Sequence, residues 1–119
     1  IKDNHIKMAG GITKAVEQVR ARIAEGIKIE VETTNLDEVK EAIAAGADII
    51  MLDNMDNNTM TEAVRIIKAA DKGIKTEASG NMNIPRLKEV AATGVDYISV
   101  GALTHTVKGM DISMNITIE

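Results

Sequence analysis

Three acidic residues stand where apolar runs end, which is where a buried strand would reach a loop. Asp53 follows the run 49–52, Glu32 lies near the end of the run 27–33, and Glu77 precedes a Ser-Gly turn. Carboxylates at such places can bind a divalent cation or stabilise positive charge that develops in a reaction. Each acid could instead face solvent or pair with a lysine of the next loop. Because acids recur in three successive units, at positions that we take as equivalent, we favour the functional interpretation.

Two further turns have the composition of a phosphate site. Ser79, Gly80 and Asn81 follow a predicted strand and lead towards a predicted helix, so their backbone N–H groups can bind an anion beside a helix N-terminus. In the stretch VGALTH, Gly101 permits close approach to the backbone, and His105 is available as a hydrogen-bond donor. Each turn alone is common, but on adjacent strands the two together predict a phosphate site.

The cluster KDNH at the start of the chain has the pattern of a strand end. Lys2 belongs to it and follows an isoleucine, so the strand itself would lie upstream of Ile1. We therefore expect the chain to be a fragment. His5 and His105 are the only histidines, and for His5 we keep the usual interpretation of a structural donor.

Apolar residues switch repeatedly between strand and helix spacing along the chain. Helices are predicted over 13–24, 36–45, from 59 or 61 to 70, and 84–93, and strands over 27–33, 49–53, 75–79, 97–101 and 111–116. Asn35 is the expected N-cap of the second helix, and Thr59 or Thr61 that of the third.

The spacing of the strand ends indicates the fold. From Glu32 through Asp53 and Glu77 to Gly101 the intervals are 21, 24 and 24 residues, the length of one βα unit. Strands that alternate with helices predict an α/β fold with a parallel sheet and right-handed crossovers. The short period favours a partial (β/α) barrel over a doubly wound sheet. In such barrels catalytic side chains lie at the carboxyl ends of the strands, so the acids and both turns would share one rim.

Composition excludes several classes of function. The 119 residues carry a net charge of −4, one aromatic residue and no cysteine. Without a basic surface or stacking rings, a nucleic-acid partner is not expected, and no apolar run is long enough for a membrane span. Disulfides and thiolate metal sites are impossible, which is compatible with the cytoplasmic location that we predict.

Taken together, the motifs resemble the quinolinate phosphoribosyltransferase family, also called nicotinate-nucleotide pyrophosphorylase (carboxylating). The matching stretches are IKDNH, IEVET, IIMLDNM, EASGN and GVDYISVGALTH, followed by MDISMNI. They occur in the family's order and spacing over essentially the whole chain, and their joint specificity is high.

The resemblance implies phosphoribosyl transfer from phosphoribosyl pyrophosphate to quinolinate, with Mg²⁺, giving nicotinate mononucleotide, pyrophosphate and CO₂ in NAD biosynthesis. It implies catalytic roles for Lys2 near the substrates and for Glu32 and Asp53, which would hold the metal and the ribose region. It also implies that the phosphate is bound by the residues of the two turns, which are Ser79, Gly80, Asn81, Gly101 and His105.

Family enzymes also have an N-terminal domain and, upstream of IKDNH, a His-Arg pair and further arginines that bind the two carboxylates of quinolinate. None of these is in this chain. Its four arginines, at 20, 22, 65 and 86, fall within predicted helices, and we expect them on outer faces. The chain would then be the C-terminal part of the barrel domain, without the first barrel strands, and inactive by itself.

Two alternatives stay open at this point. The parent protein could be a related phosphoribosyltransferase that uses another acceptor. The chain could also be a non-catalytic barrel fragment that self-associates through open sheet edges. We expect the chain to form a homo-oligomer, a dimer or higher.

Overall fold

The computed structural model describes the backbone of residues 3–80, 84–99, 103–107 and 114–118, and the side chains of residues 6–80 and 85–99. The described helices are α1 (Asp3–Ala9), α2 (Ile12–Arg20), α3 (Leu36–Ala45), α4 (Asn57–Ala69) and α5 (Ile84–Ala92). The described strands are β1 (Glu30–Thr33), β2 (Ile49–Asp53), β3 (Lys75–Ser79), β4 (Tyr97–Ile98), β5 (Leu103–Val107) and β6 (Met114–Ile118).

Strands β1 to β4 form one parallel sheet in the order in which they occur in the chain. Helix α3 connects β1 to β2, α4 connects β2 to β3, and α5 connects β3 to β4. Every parallel pair is thus joined through a helix, as parallel neighbours require. The sequential order, without a reversal, is that of a barrel arc.

The two faces of this sheet differ in burial. One face is fully buried, and it consists of Val31, Thr33, Ile50, Leu52, Thr76, Ala78 and Ile98. These residues belong to one core with the apolar stripes of the helices, for example Val39 of α3 and Met60 and Ile67 of α4. The alternate residues of each strand are only partly buried, apart from Lys75, which is exposed. Helices on a single face are the arrangement of a (β/α) barrel, so the predicted α/β partial barrel is confirmed.

Acidic residues just before two strands fix the amino ends of the sheet. The Asp48 carboxylate accepts a hydrogen bond from the Ile29 N–H at 2.7 Å, and Asp96 accepts from the Thr76 N–H at 2.9 Å. Each carboxylate thereby satisfies a backbone donor of the neighbouring strand, which would otherwise be partly buried without an acceptor. Asp48 also pairs with Arg20 at the end of α2, at 3.3 Å.

The second and third predicted helices differ in how well their starts were predicted. Helix α3 begins after Asn35, whose side chain accepts from the Glu38 N–H at 2.8 Å, as expected. For α4, both predicted caps, Thr59 and Thr61, are wrong. Asp56 is the N-cap and accepts from the Thr59 N–H at 2.7 Å. Aspartate is at least as good as threonine at this position, so the helix starts earlier.

The first part of the chain departs most from the predicted elements. Helix α2 stops at Arg20 instead of residue 24, so Arg22 lies beyond it, and β1 starts at Glu30 instead of residue 27. The predicted strand end KDNH continues directly into α1, which the sequence analysis missed, while Lys2 lies outside the described residues. The helix is short and its only described buried side chain is Ile6, so its apolar periodicity is weak.

The C-terminal part forms a second, antiparallel sheet of β5 and β6 that was not predicted. Its backbone pairs His105 with Ile116, so His105 lies inside a strand and not in a turn. The many β-branched residues of LTHTV and NITI favour paired strands, which explains the difference. Gly101 lies outside the described residues. Within the described part of the chain, no helix is both long and apolar enough to cross a bilayer.

The cap of α3 gives a stability prediction. Replacing Asn35 by alanine removes the acceptor for the Glu38 N–H, so Asn35→Ala should lower the free energy of unfolding by about 1 kcal/mol. Urea denaturation followed by circular dichroism measures this. The control is Asn58→Ala, the same substitution at an exposed position in the first turn of α4. Equal denaturation midpoints for the two variants would contradict a capping role.

Candidate functional site

The partly buried face of the sheet carries polar side chains in three rows that run across the strands. The lowest row, near the amino ends, contains Glu30, Ile49 and Lys75. The middle row contains Glu32, Met51, Glu77 and Tyr97. The top row, nearest the carboxyl ends, contains Asp53 beside Ser79.

This register corrects the expectation that the three acids occupy equivalent positions. Glu32 and Glu77 share the middle row, with Met51 between them, whereas Asp53 lies one row nearer the rim. All three do lie on the same face. Intervals in the sequence give the length of a βα unit but not the stagger between neighbouring strands, which barrel closure imposes.

Glu30 forms a carboxyl pair with Glu77 that the sequence analysis missed. Burial raises the pKa of Glu30 from 4.5 to about 7, helped by the charge of Glu77 and by a hydrogen bond between the two side chains. Because two carboxylates within hydrogen-bond reach of each other cannot both ionise easily, the Glu30 carboxyl keeps its proton to a higher pH than an isolated glutamate does. A signal was available, because Glu30 and Glu32 are two residues apart on a strand and must share a face.

At the rim, the loop after β2 is bound directly to the turn after β3. The Asn54 N–H donates to the Ser79 carbonyl at 3.0 Å, continuing the pairing of Asp53 with Ser79. Gly80 follows with a φ of 128°, a backbone conformation that favours glycine. The structure thus brings Asp53, Ser79 and Gly80 together, as predicted. Asn81 lies outside the described residues.

Arg86 corrects the expectation that all four arginines lie on outer faces. Arg20, Arg22 and Arg65 are exposed, but Arg86 in the first turn of α5 is partly buried. Its Nη2 donates to the Met55 carbonyl at 2.8 Å. Together with Asn54 and Asp56, these residues line a cavity of about 240 Å³ beside the rim. The connection from β3 to α5 is short, so the start of α5 lies against the loop between β2 and α4. The sequence pattern alone does not show this approach.

Glu32 and Asp53 are compatible with a shared divalent cation. They lie on adjacent strands of the same face and one row apart, so their Cα atoms are separated by roughly 8 Å. Among the described side chains there is no group of three potential metal ligands. A Mg²⁺ ion commonly uses one or two carboxylates and completes its shell with water and phosphate oxygens. The donor set therefore fits such an ion with a phosphorylated substrate.

The Glu30–Glu77 pair predicts a pH-dependent stability. The folded protein holds the Glu30 proton more tightly than the unfolded chain, so this contribution is complete below pH 4.5 and disappears as the pH rises through about 7. The shift to about 7 would correspond to about 3 kcal/mol for a fully buried group, and for the partly exposed Glu30 we expect on the order of 1 to 2 kcal/mol.

Glu30→Gln keeps a hydrogen-bond donor without the titration. Between pH 5 and pH 8 the unmodified protein should lose more unfolding free energy than this variant, as measured by urea denaturation. Glu25→Gln, at an exposed position after α2, serves as the control and should follow the unmodified protein. The same pH dependence in Glu30→Gln and the unmodified protein would contradict the shared proton.

Sequence comparison identifies the family. A family model described as the quinolinate phosphoribosyl transferase C-terminal domain matches residues 1–115. A protein of Synechocystis sp. named "Probable nicotinate-nucleotide pyrophosphorylase (carboxylating)" is 50% identical over 116 residues, which cover 98% of this chain and 39% of that protein. A Bacillus subtilis protein of the same name is 45% identical over 118 residues, covering 99% and 40%.

Solved structures agree with the sequence comparison. The nicotinate-nucleotide pyrophosphorylase of Francisella tularensis superimposes with a TM-score of 0.78 at 44% identity, covering 98% of this chain and 40% of that one. The enzyme of the same name from Ehrlichia chaffeensis gives a TM-score of 0.79 at 37% identity, covering 98% and 41%. The chain thus spans about two fifths of the length of these relatives. By sequence and by fold, the chain belongs to the quinolinate phosphoribosyl transferase family, within its C-terminal domain.

Proposed function

We propose that the complete protein carrying this sequence transfers a phosphoribosyl group from phosphoribosyl pyrophosphate to quinolinate. The products are nicotinate mononucleotide, pyrophosphate and CO₂, which places the reaction in NAD biosynthesis. This chain supplies the ribose-phosphate part of the site. One observation carries the proposal beyond family membership: Asp53 is paired with Ser79 at the rim, so an acid and an anion-binding turn are fixed side by side.

The arrangement suits the chemistry at the anomeric carbon. The C–O bond to pyrophosphate breaks while the pyridine nitrogen of quinolinate forms the new C–N bond, and the ribose becomes positively charged on the way. Carboxylates fixed near this carbon stabilise that charge. Asp53 and Glu32 are the acids we assign to this role. Glu77 is engaged with Glu30, which makes it a supporting residue.

The phosphate of the ribose would bind at Ser79 and Gly80, with Asn81, Gly101 and His105 as further contacts and Lys2 near the substrates. When bound, Mg²⁺ supplies charge neutralisation for the pyrophosphate, and Glu32 and Asp53 are the residues that would hold it. These assignments rest on the family motifs and, for Asp53, Ser79 and Gly80, also on their position together at the rim.

The cytoplasmic location stays a prediction from the cysteine-free composition. A rice relative, 43% identical over 137 residues, carries a name that includes "chloroplastic".

Asp53→Asn tests the assignment of the rim acid. In the complete protein, this substitution should lower kcat by about 100-fold, as the loss of one transition-state electrostatic contact does. The melting temperature should change little, since Asp53 is only partly buried at the end of its strand. Formation of nicotinate mononucleotide is followed by chromatography, with Asp37→Asn on the exposed face of α3 as the control.

If Asp53→Asn has the kcat of the unmodified protein, Asp53 does not take part in the reaction. Turnover of phosphoribosyl pyrophosphate with nicotinate but not with quinolinate would instead assign the protein to a paralogue with another acceptor.

We also propose that the chain forms a homo-oligomer, a dimer or higher. In the described part, β1 pairs on one side only, with β2, and the partly buried face presents apolar Ile49 and Met51. Unpaired backbone groups along such an edge favour association. Sedimentation equilibrium of the 119-residue chain should show a mass of at least twice the monomer. A single monomeric species across the micromolar range would contradict self-association.

A further inference from the structure

Asn54 has a left-handed backbone conformation, although its side chain is not buried. Its φ is 53°, and in the described part of the chain only Asp71, at 52°, is another non-glycine residue with a positive φ. Such a conformation is unfavourable for residues with a side chain, although asparagine and aspartate tolerate it best. Asn54 is exposed, so packing into the core does not explain it. It directly follows Asp53.

The conformation places Asn54 against the turn after β3. Its N–H donates to the Ser79 carbonyl at 3.0 Å. A Cβ atom added to Gly80 would lie 2.5 Å from the Asn54 Oδ1 and 3.2 Å from its Cα, so a side chain at position 80 would force Asn54 to shift. Gly80 itself has a φ of 128°. The two residues therefore form a close contact in which each limits the conformation of the other.

The following residue is held from the other side. The Met55 carbonyl accepts the hydrogen bond from Arg86 at 2.8 Å, and the Met55 side chain is buried. The loop after β2 is thus attached both to β3 and to the start of α5. A loop held at two points has little freedom to move the acid that precedes it.

We propose that Asn54 is a positioning residue, whose side chain and left-handed backbone set the distance between the Asp53 carboxylate and the Ser79–Gly80 turn. That distance decides whether the ribose phosphate and the anomeric carbon of one substrate can reach both groups at once. The inference rests on the proposed function, because it assigns these two groups to parts of the same phosphoribosyl substrate. If only the backbone conformation mattered, glycine would serve better at this position.

The experiment compares Asn54→Gly with Asp71→Gly in the complete protein. Both substitutions relieve the same backbone conformation, but Asp71 lies before β3, at the opposite end of the strands. For Asn54→Gly, KM for phosphoribosyl pyrophosphate should rise and kcat/KM should fall about tenfold, because fixed geometry contributes strongly to such reactions. KM for quinolinate should change less than twofold, and the melting temperature should stay equal to or above that of the unmodified protein. Asp71→Gly should leave both kinetic constants unchanged.

A second pair of variants tests the contact itself. Gly80→Ala should lower kcat/KM by about 100-fold or more, since the added methyl group meets the Asn54 Oδ1. Adding Asn54→Gly to Gly80→Ala removes that oxygen, whereas the strain of an alanine at a φ of 128° and the contact with the Cα of residue 54 remain, so part of the lost activity should return. If Gly80→Ala does not fold, the comparison of Asn54→Gly with Asp71→Gly decides the question.

Different results test the positioning role and the proposed function. Unchanged kinetic constants in Asn54→Gly, or no recovery in the folded double variant, would overturn the positioning role. A complete protein that forms no nicotinate mononucleotide would refute the proposed function. In that case amide hydrogen exchange still tests the contact: the amide at position 54 should exchange at least tenfold faster in Asn54→Gly than in the unmodified protein. Equal exchange rates of this amide in the two proteins would overturn the positioning role of Asn54.

Discussion

The register of β2 against its two neighbours is the constraint on which the rest of the structure depends. Ile50 and Leu52 are fully buried beneath the helices, and their burial fixes which residues of β2 face the other way. A shift of the strand by one residue would exchange the two faces and bury Asp53 in an apolar core. Burial of an unpaired carboxylate is so unfavourable that this alternative is not populated. Hydrophobic packing on one face therefore decides the placement of the acids on the other.

The partly buried face tolerates several carboxylates because they lie in different rows along the strands. The lowest row holds Glu30 and the middle row holds Glu32 and Glu77, while Asp53 lies one row higher at the rim. Glu30 and Glu77 are hydrogen-bonded to each other. A single ionised layer of three carboxylates would repel itself, whereas the stagger separates the rim acid from the pair below it. Glu30 and Glu77 bind each other on this face of the sheet. Asp53 lies apart from them at the rim, where it can contact a ligand.

The two ends of the strands use polar side chains for different purposes. At the amino ends, Asp48 and Asp96 each accept a backbone N–H of the neighbouring strand, which makes them structural. At the carboxyl ends, backbone contact between Asn54 and Ser79 fixes the loops and leaves the Asp53 carboxylate outside that hydrogen bond. The amino ends thus stabilise the sheet, and the carboxyl ends present the groups that we assign to substrate binding. This division is the one expected for a (β/α) barrel.

The sequence by itself determined the units of the fold. Local signals were sufficient for α3, β2 and β3, whose predicted bounds agree with the structure, because periodicity and caps act over a few neighbouring residues. They also identified Glu32, Asp53, Ser79 and Gly80 as candidate site residues near the ends of strands. Only the tertiary structure decided their relative height, the pairing of Glu30 with Glu77, the partial burial of Arg86 and the contact between Asn54 and Gly80. Those features depend on strand stagger and on the approach of loops that are distant in sequence, and neither is encoded in the spacing of residues along one strand or helix.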